Sequence, residues 1–197
     1  MIKRFLIVSA AALAAACGQA EPPAQPEAPA APEAPAAVDA DALRPDGWGP
    51  LRVGMSLAEV EAALGPDANP DAVGGPDPAS CDEFRPERAP EGLLVMIESG
   101  VLTRISATEP GLRTVDGFGV GAAAAEVKAA LGDRARVEPH KYAPAPAEYV
   151  FAWATPQTAP YVEDADARGV VYEVGTDGAV TAVRVGGPSI QYVEGCA

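Results

Sequence analysis

The chain has 197 residues, which suffices for one domain or two small ones. Its 28 acidic and 14 basic residues give a formal charge of −14. Such a chain lacks the clustered Lys and Arg that binding to DNA, RNA or an anionic membrane surface requires. With one His and three Cys, we expect no metal site and no cofactor.

Residues 1–16 have the pattern of a secretory signal peptide. Lys3 and Arg4 precede an uncharged stretch of apolar and small residues that ends at Ala16, as in the n-region and h-region of such signals. The stretch is too short to cross about 30 Å of hydrocarbon as a permanent helix. We therefore expect export from the cytoplasm.

The segment LAAAC at 13–17 resembles the lipobox of bacterial lipoproteins. This resemblance implies that Cys17 becomes the first mature residue and carries acyl chains such as palmitate, which anchor a protein through buried CH₂ groups. Gly18 follows the cysteine, and by resemblance to the sorting rule of Gram-negative lipoproteins this favours the periplasmic face of the outer membrane. The alternative is an ordinary signal peptide cut after the Ala run, which leaves Cys17 free.

Residues 17–46 are predicted to be the lipidated cysteine and a linker. The stretch 18–46 has seven prolines, ten alanines and no aromatic residue, so it buries too little apolar surface to offset the entropy of ordering. A Pro-rich chain favours extended polyproline II, at about 3.1 Å per residue. We interpret it as a spacer, with an acidic binding motif as the alternative.

The globular part, 47–197, contains an internal repeat. Residues 51–65 and 118–132 match at nine of fifteen positions, which indicates a tandem duplication with halves of about 47–114 and 115–197. Each copy predicts a short amphipathic helix. The first has a capping box, Ser56 and Glu59, and a C-terminal Gly65, whereas the second has Ala123 at the capping position.

Strand signals follow each predicted helix. Alternating or β-branched runs separated by turn residues indicate three strands per half, with the stretch 190–193 as a further edge strand. The fold class predicted is α+β: a tandem repeat of a short helix followed by a three-stranded antiparallel meander, with the helices packed on one side of the sheet. The predicted strands are 83–85, 93–98, 101–107, 148–153, 170–174 and 179–185.

The helix-start and helix-stop pattern resembles two families. One is the small outer-membrane lipoproteins of the SmpA/OmlA type, which attach to the β-barrel assembly machinery; the other is the tandem-repeat β-lactamase-inhibitor protein. The resemblance implies a role as an assembly scaffold or as an inhibitor of a periplasmic enzyme. The residues that carry it are Gly54, Met55, Ser56, Glu59, Val60, Leu64 and Gly65, with Gly121, Glu126, Val127, Leu131 and Gly132 in the second copy.

Two cysteines remain if Cys17 is lipidated. In an oxidising envelope compartment, Cys81 and Cys196 most simply form a disulfide. The alternative is a reactive redox pair, although the sequence has neither a Cys-x-x-Cys motif nor a neighbouring His that would activate a thiol.

No catalytic constellation is evident, and we expect no enzyme activity. His140 is the one histidine, and no serine lies in a Gly-x-Ser-x-Gly context. The acidic stretches 67–71 and 163–166 lack the remaining ligands of a calcium loop, so we interpret them as solvated loops. A small-ligand or enzymatic site built from these loops with Arg85, Arg88 and Arg104 is the alternative.

Aromatic residues cluster in the second half. Tyr149, Phe151 and Trp153 alternate and so share one face of a strand, with Tyr142 nearby. That face is either part of the core or an exposed platform that binds a partner.

The sequence as a whole predicts a lipid-anchored envelope protein that acts as a non-catalytic protein-binding module. Its partners would be the membrane, through the N-terminal lipid, and another envelope protein, without nucleic acid. A small-ligand-binding protein or enzyme, and a purely structural envelope lipoprotein, are the alternatives.

Overall fold

The computed structural model describes residues 41–72, 77 and 79–196. The signal peptide, Cys17 and the linker up to residue 40 lie outside the described residues. No helix among the described residues has the length and apolar character needed to cross a membrane. The described residues all belong to one compact unit.

The described residues form nine strands and two α-helices. The helices are α1 (Leu57–Leu64) and α2 (Ala124–Leu131), and short 3₁₀ helices occur at Gly132–Arg134 and Pro188–Gln191. The strands are β1 (Gly47–Trp48), β2 (Leu51–Arg52), β3 (Cys81–Phe84), β4 (Leu93–Glu98), β5 (Val101–Ala107), β6 (Arg136–Pro139), β7 (Glu148–Trp153), β8 (Gly169–Val174) and β9 (Val180–Gly186).

Seven of the strands form one antiparallel sheet in the order β3-β4-β5-β9-β8-β7-β6, and β1 and β2 form a separate ribbon. The two halves of the chain meet at the centre of this sheet, where β5 pairs with β9 from Arg104↔Gly186 to Ala107↔Val183. The sheet is therefore continuous across the predicted repeat boundary at 114/115.

The predicted α+β fold class is wrong. The domain is mostly β, with two eight-residue helices and a seven-stranded sheet, and it is not a repeat of a helix with a three-stranded meander. The second half has a fourth strand, β6, and the stretch 190–193 adds no strand, because residues up to Gln191 continue the 3₁₀ helix Pro188–Gln191.

The local details of both helices agree with the sequence. Ser56 Oγ accepts a hydrogen bond from the Glu59 N–H, and the Ser56 N–H donates to the Glu59 carboxylate at 2.8 Å, so the predicted capping box is confirmed. These bonds to Ser56 lower the pKa of Glu59. Ala123 provides no side-chain cap for α2, which therefore depends more on packing.

The main core lies where the helices meet one face of the sheet. Val60 and Leu64 of α1, and Val127 and Leu131 of α2, are buried in the same cluster as the inward-facing strand residues. Leu43 belongs to this cluster too, and its backbone bonds to Arg113 and Val115. The folded part thus includes residues that precede the predicted boundary at 47.

Candidate functional site

The opposite face of the sheet carries the aromatic residues that the sequence singled out. Tyr149, Phe151 and Trp153 of β7 point to this face, and their exposed fractions are 4%, 6% and 8%. They form an aromatic cluster whose other members are Val162, Ala167, Val171 and Ile190. These three side chains are thus a second core and not an exposed platform, whereas Tyr142 is 63% exposed.

Two segments cover the aromatic cluster. The first is the loop 154–168, which Arg136 of β6 holds through bonds to the carbonyls of Ala159 and Pro160. The second is the C-terminal segment 188–196, here called the strap. The two are joined because Gln191 bonds both the N–H and the carbonyl of Val162 at 2.9 Å.

A buried ion pair lies beneath the strap beside this cluster. The Arg104 Nη2 atom of β5 lies 2.8 Å from the Glu83 Oε1 atom of β3, and the Arg104 side chain is 3% exposed. Arg104 Nη1 donates to the Ser189 and Tyr192 carbonyls at 3.2 Å. Burial lowers the pKa of Arg104, and the Glu83 carboxylate opposes that shift. Because Arg104 bonds both to Glu83 of β3 and to two carbonyls of the strap, it fixes the strap to the sheet.

His140 takes part in a second charged group on this face. Its Nδ1 atom accepts the backbone N–H groups of Tyr142 and Ala143, each at 3.1 Å. The ring proton must then lie on Nε2, which donates to Glu173 at 3.3 Å, and Glu173 also pairs with Arg184. Both ring nitrogens of His140 are therefore occupied, and its role here is to shape the loop after β6.

The predicted cysteine pair is bonded in the structure. The Sγ atoms of Cys81 and Cys196 lie 2.10 Å apart and the Cα atoms 5.4 Å apart. This disulfide joins the end of the strap to edge strand β3. Cys196 is exposed and Cys81 is half-buried, so the bond lies at the surface.

An open groove follows the strap. It consists of a cavity of about 530 Å³ between the strap and β3, and a smaller one of about 160 Å³ between the strap and β6. Lys141, Gln191 and Val193 line both cavities, so the two cavities adjoin along the strap. Pro139, Pro160 and the half-exposed Tyr161 also line the smaller cavity.

The acidic loops do not assemble into a metal centre. Asp67 accepts the Asn69 N–H and Asp164 accepts the Asp166 N–H, so both bonds are local turns. Across 41–72, 77 and 79–196, no three Asp, Glu, His or Cys residues are placed to hold a metal ion. Arg85 bonds to the carbonyl of Ala89, and Arg88 bonds to the carbonyl of Ala62. Neither shares a partner with the buried Arg104, which bonds to Glu83.

The cavity next to the first acidic loop contains a buried carboxylate. Asp82 of β3 lines a space of about 420 Å³ together with Asp67 and Asn69. Burial raises the pKa of Asp82, and the charges of Asp67 and Asp77 add to that increase, while the Glu83 backbone N–H opposes it. The ionised Asp82 is therefore less favourable in the folded state than in the unfolded chain.

We expect Asp82→Asn to raise the melting temperature at pH 7. The folded state binds the Asp82 proton more tightly than the unfolded state, so ionisation favours unfolding as the pH increases. The increase in melting temperature should reach its full size above the pKa of Asp82 in the folded state. It should disappear below the pKa of Asp82 in the unfolded chain, about 3.9. Exposed Asp71→Asn, which also removes one negative charge, is the control in a pH series of thermal melts. A D82N gain that is no larger than that of D71N would contradict the expectation.

Two of the buried charges were not identified as buried from the sequence. Arg104 of β5 and Arg184 of β9 face the same side of the sheet, because Ser106 pairs with Arg184 in register and lies two residues from Arg104. An arginine that faces a core signals a buried partner. Glu173 lies 11 residues before Arg184 in the paired strand β8, whereas Glu83 lies 21 residues before Arg104 and two strands away.

Comparison of the chain with protein families, curated proteins and solved structures finds no match.

Proposed function

We propose that the chain is a lipid-anchored envelope protein whose folded domain is a non-catalytic protein-binding module. The observation that supports this best is the open groove along the strap, which the exposed Tyr161 lines. The resemblance to outer-membrane assembly lipoproteins and to a β-lactamase-inhibitor protein remains part of the proposal.

The anchor is Cys17, and its test is simple. Cys17→Ser leaves no thiol to acylate, so we expect nearly all of the protein to move from the membrane fraction to the soluble envelope fraction. Gly18→Ala keeps the cysteine and serves as the control. Membrane fractionation of C17S that equals that of the unchanged protein would contradict lipid anchoring.

Binding rather than catalysis is favoured by the state of the charged groups. Arg104, Glu83, His140, Glu173 and Arg184 are all engaged with one another or with backbone atoms. A general base needs a free lone pair within reach of a substrate proton, and both nitrogens of His140 are already occupied. The charged groups on this face therefore have structural roles.

The partner should dock through side chains rather than by adding a strand. Hydrogen-bonded pairs alternate along an antiparallel ladder, and the His140 N–H bonds the Ala147 carbonyl. The backbone groups of Val137 and Pro139 in β6 thus point to the open edge, where proline has no N–H to donate. At the other edge, β3 has four residues and carries Asp82 and Glu83, and short charged edges resist strand addition.

Tyr142 and Tyr161 are the best candidates for contacts with the partner. Both are more than half exposed, and Tyr161 lines the groove while Lys141, which lies over the Tyr142 ring at 5.1 Å, lines both of its cavities. Tyrosine combines a large apolar ring with a polar tip and is enriched at the energetically dominant positions of interfaces. This surface lies beside the strap.

The test is affinity capture from the detergent-solubilised envelope. We expect the unchanged protein to retain one stoichiometric partner. The double variant Tyr142→Ala with Tyr161→Ala should capture at least tenfold less of this partner. Val115→Ala truncates an exposed apolar residue of the loop before α2 and should retain the partner. Capture of nothing by the unchanged protein, or equal capture by all three, would contradict the proposed surface.

A further inference from the structure

The strap is attached to the sheet in two unequal parts. Its first part, 188–192, is held by buried Ile190, by the bonds of Gln191 to Val162 and by the bonds of Arg104 to Ser189 and Tyr192. Its second part, 193–196, follows the 3₁₀ helix and has no regular secondary structure. The two parts therefore differ in how much non-covalent contact holds them.

Few non-covalent contacts hold the second part. Glu194 pairs with Lys141, but both side chains are more than half exposed, and such pairs contribute about 0–1 kcal/mol. Val193 is partly packed against the aromatic cluster. The Cys81–Cys196 disulfide is thus the main attachment of residues 193–196.

These residues lie directly on the buried ion pair. A Cβ atom placed on Gly195 would come within 2.8 Å of Glu83 Oε2 and 3.6 Å of Arg104 Nη2. Gly195 also has φ of +67°, which favours glycine. The backbone of the strap therefore closes over Glu83 and Arg104, and it forms one wall of the groove.

We propose that the disulfide is a redox latch that holds residues 193–196 closed and so maintains the groove. An envelope dithiol attacks the exposed Sγ of Cys196, breaks the S–S bond and forms a mixed disulfide. Its second thiol then resolves that intermediate. Two electrons and two protons pass to the protein, which gains two thiols, and the dithiol becomes a disulfide. The released segment then uncovers Glu83 and Arg104 and removes one wall of the groove.

Amide relaxation by NMR tests the latch without any partner. Full-length protein in detergent micelles, labelled with ¹⁵N-valine and ¹⁵N-glycine, is compared before and after treatment with dithiothreitol. We expect the order parameters of Val193 and Gly195 to fall from about 0.85 to below about 0.6, while those of Val95 and Val183 stay unchanged. Cys196→Ser should give the reduced values without reductant, and dithiothreitol should change it no further.

Two results would overturn the latch. Unchanged values at Val193 and Gly195 after reduction would show that non-covalent contacts suffice to hold the strap. A simultaneous fall at Val95 would show that the disulfide supports the whole fold rather than one segment.

The effect on the groove rests on the proposed function, and a second measurement separates the two. Capture is repeated with oxidised protein and with Cys196→Ser, and we expect at least a tenfold loss of partner with the variant. Equal capture by both forms would overturn the regulation while leaving the proposed function intact. Capture by neither form would count against the proposed function, whereas the relaxation data alone decide the latch.

Discussion

Val127→Asp should abolish the folded state. Val127 is fully buried in the main core between α2 and the sheet, and an unpaired carboxylate there costs several kcal/mol or more. That penalty is comparable with the whole stability of a domain, about 5–15 kcal/mol. Val60→Asp, at the matching position of α1, should behave in the same way.

The measurement is thermal unfolding followed by circular dichroism. Val115→Asp places the same carboxylate at an exposed position and should melt within a few degrees of the unchanged protein. A cooperative V127D transition close to that of V115D would show that the core assignment is mistaken.

Glu83→Ala should destabilise the domain by about 3–5 kcal/mol, since it removes the carboxylate that is bonded to buried Arg104. The structure offers a matched pair for comparison. Arg134 and Asp116 are also 2.8 Å apart, but the Arg134 side chain is 56% exposed and that of Arg104 is 3% exposed. Asp116→Ala should therefore cost at most about 1 kcal/mol.

Urea denaturation of both variants gives the two free energies of unfolding. Both pairs join an arginine to a carboxylate at the same separation, so the difference between the two losses mainly reports the burial of Arg104. Glu83→Ala also removes a 3.4 Å hydrogen bond from Ser106 Oγ. Equal losses for E83A and D116A would mean that Arg104 is not desolvated under the strap.

The local elements were predictable where short-range chemistry specifies them. The predicted strands 93–98, 101–107 and 148–153 coincide with β4, β5 and β7, because turn residues interrupt runs of alternating or β-branched residues there. The capping box at Ser56 specifies the start of α1 in the same way.

The fold class was not predictable, because it depends on pairing between distant segments. The β5–β9 ladder joins residues about 80 apart in sequence and merges the two halves into one sheet. Strand β6 has the sequence RVEP, in which charges and a proline give no strand signal. It forms because β7 pairs with it, and Arg136 then ties it to the loop 154–168.

At the candidate site, the burial of the three aromatic residues of β7 was not predictable from the sequence either. Alternation predicted that Tyr149, Phe151 and Trp153 share a face, and they do. Burial of that face is due to two segments without regular strand structure: the loop 154–168, which follows β7 directly, and the strap, which is distant in sequence. Gly169 also contributes, since a Cβ there would lie 2.7 Å from Trp153 Cε3, so only glycine lets the indole lie against β8.

The most direct test of the proposed function is photo-crosslinking in intact cells. A photoreactive amino acid replaces Tyr161 at the groove or, as the control, exposed Val115 in the loop before α2. We predict one discrete crosslinked envelope protein from position 161 and none from position 115. No discrete product from position 161, or the same product from both positions, would contradict a binding module that uses this groove.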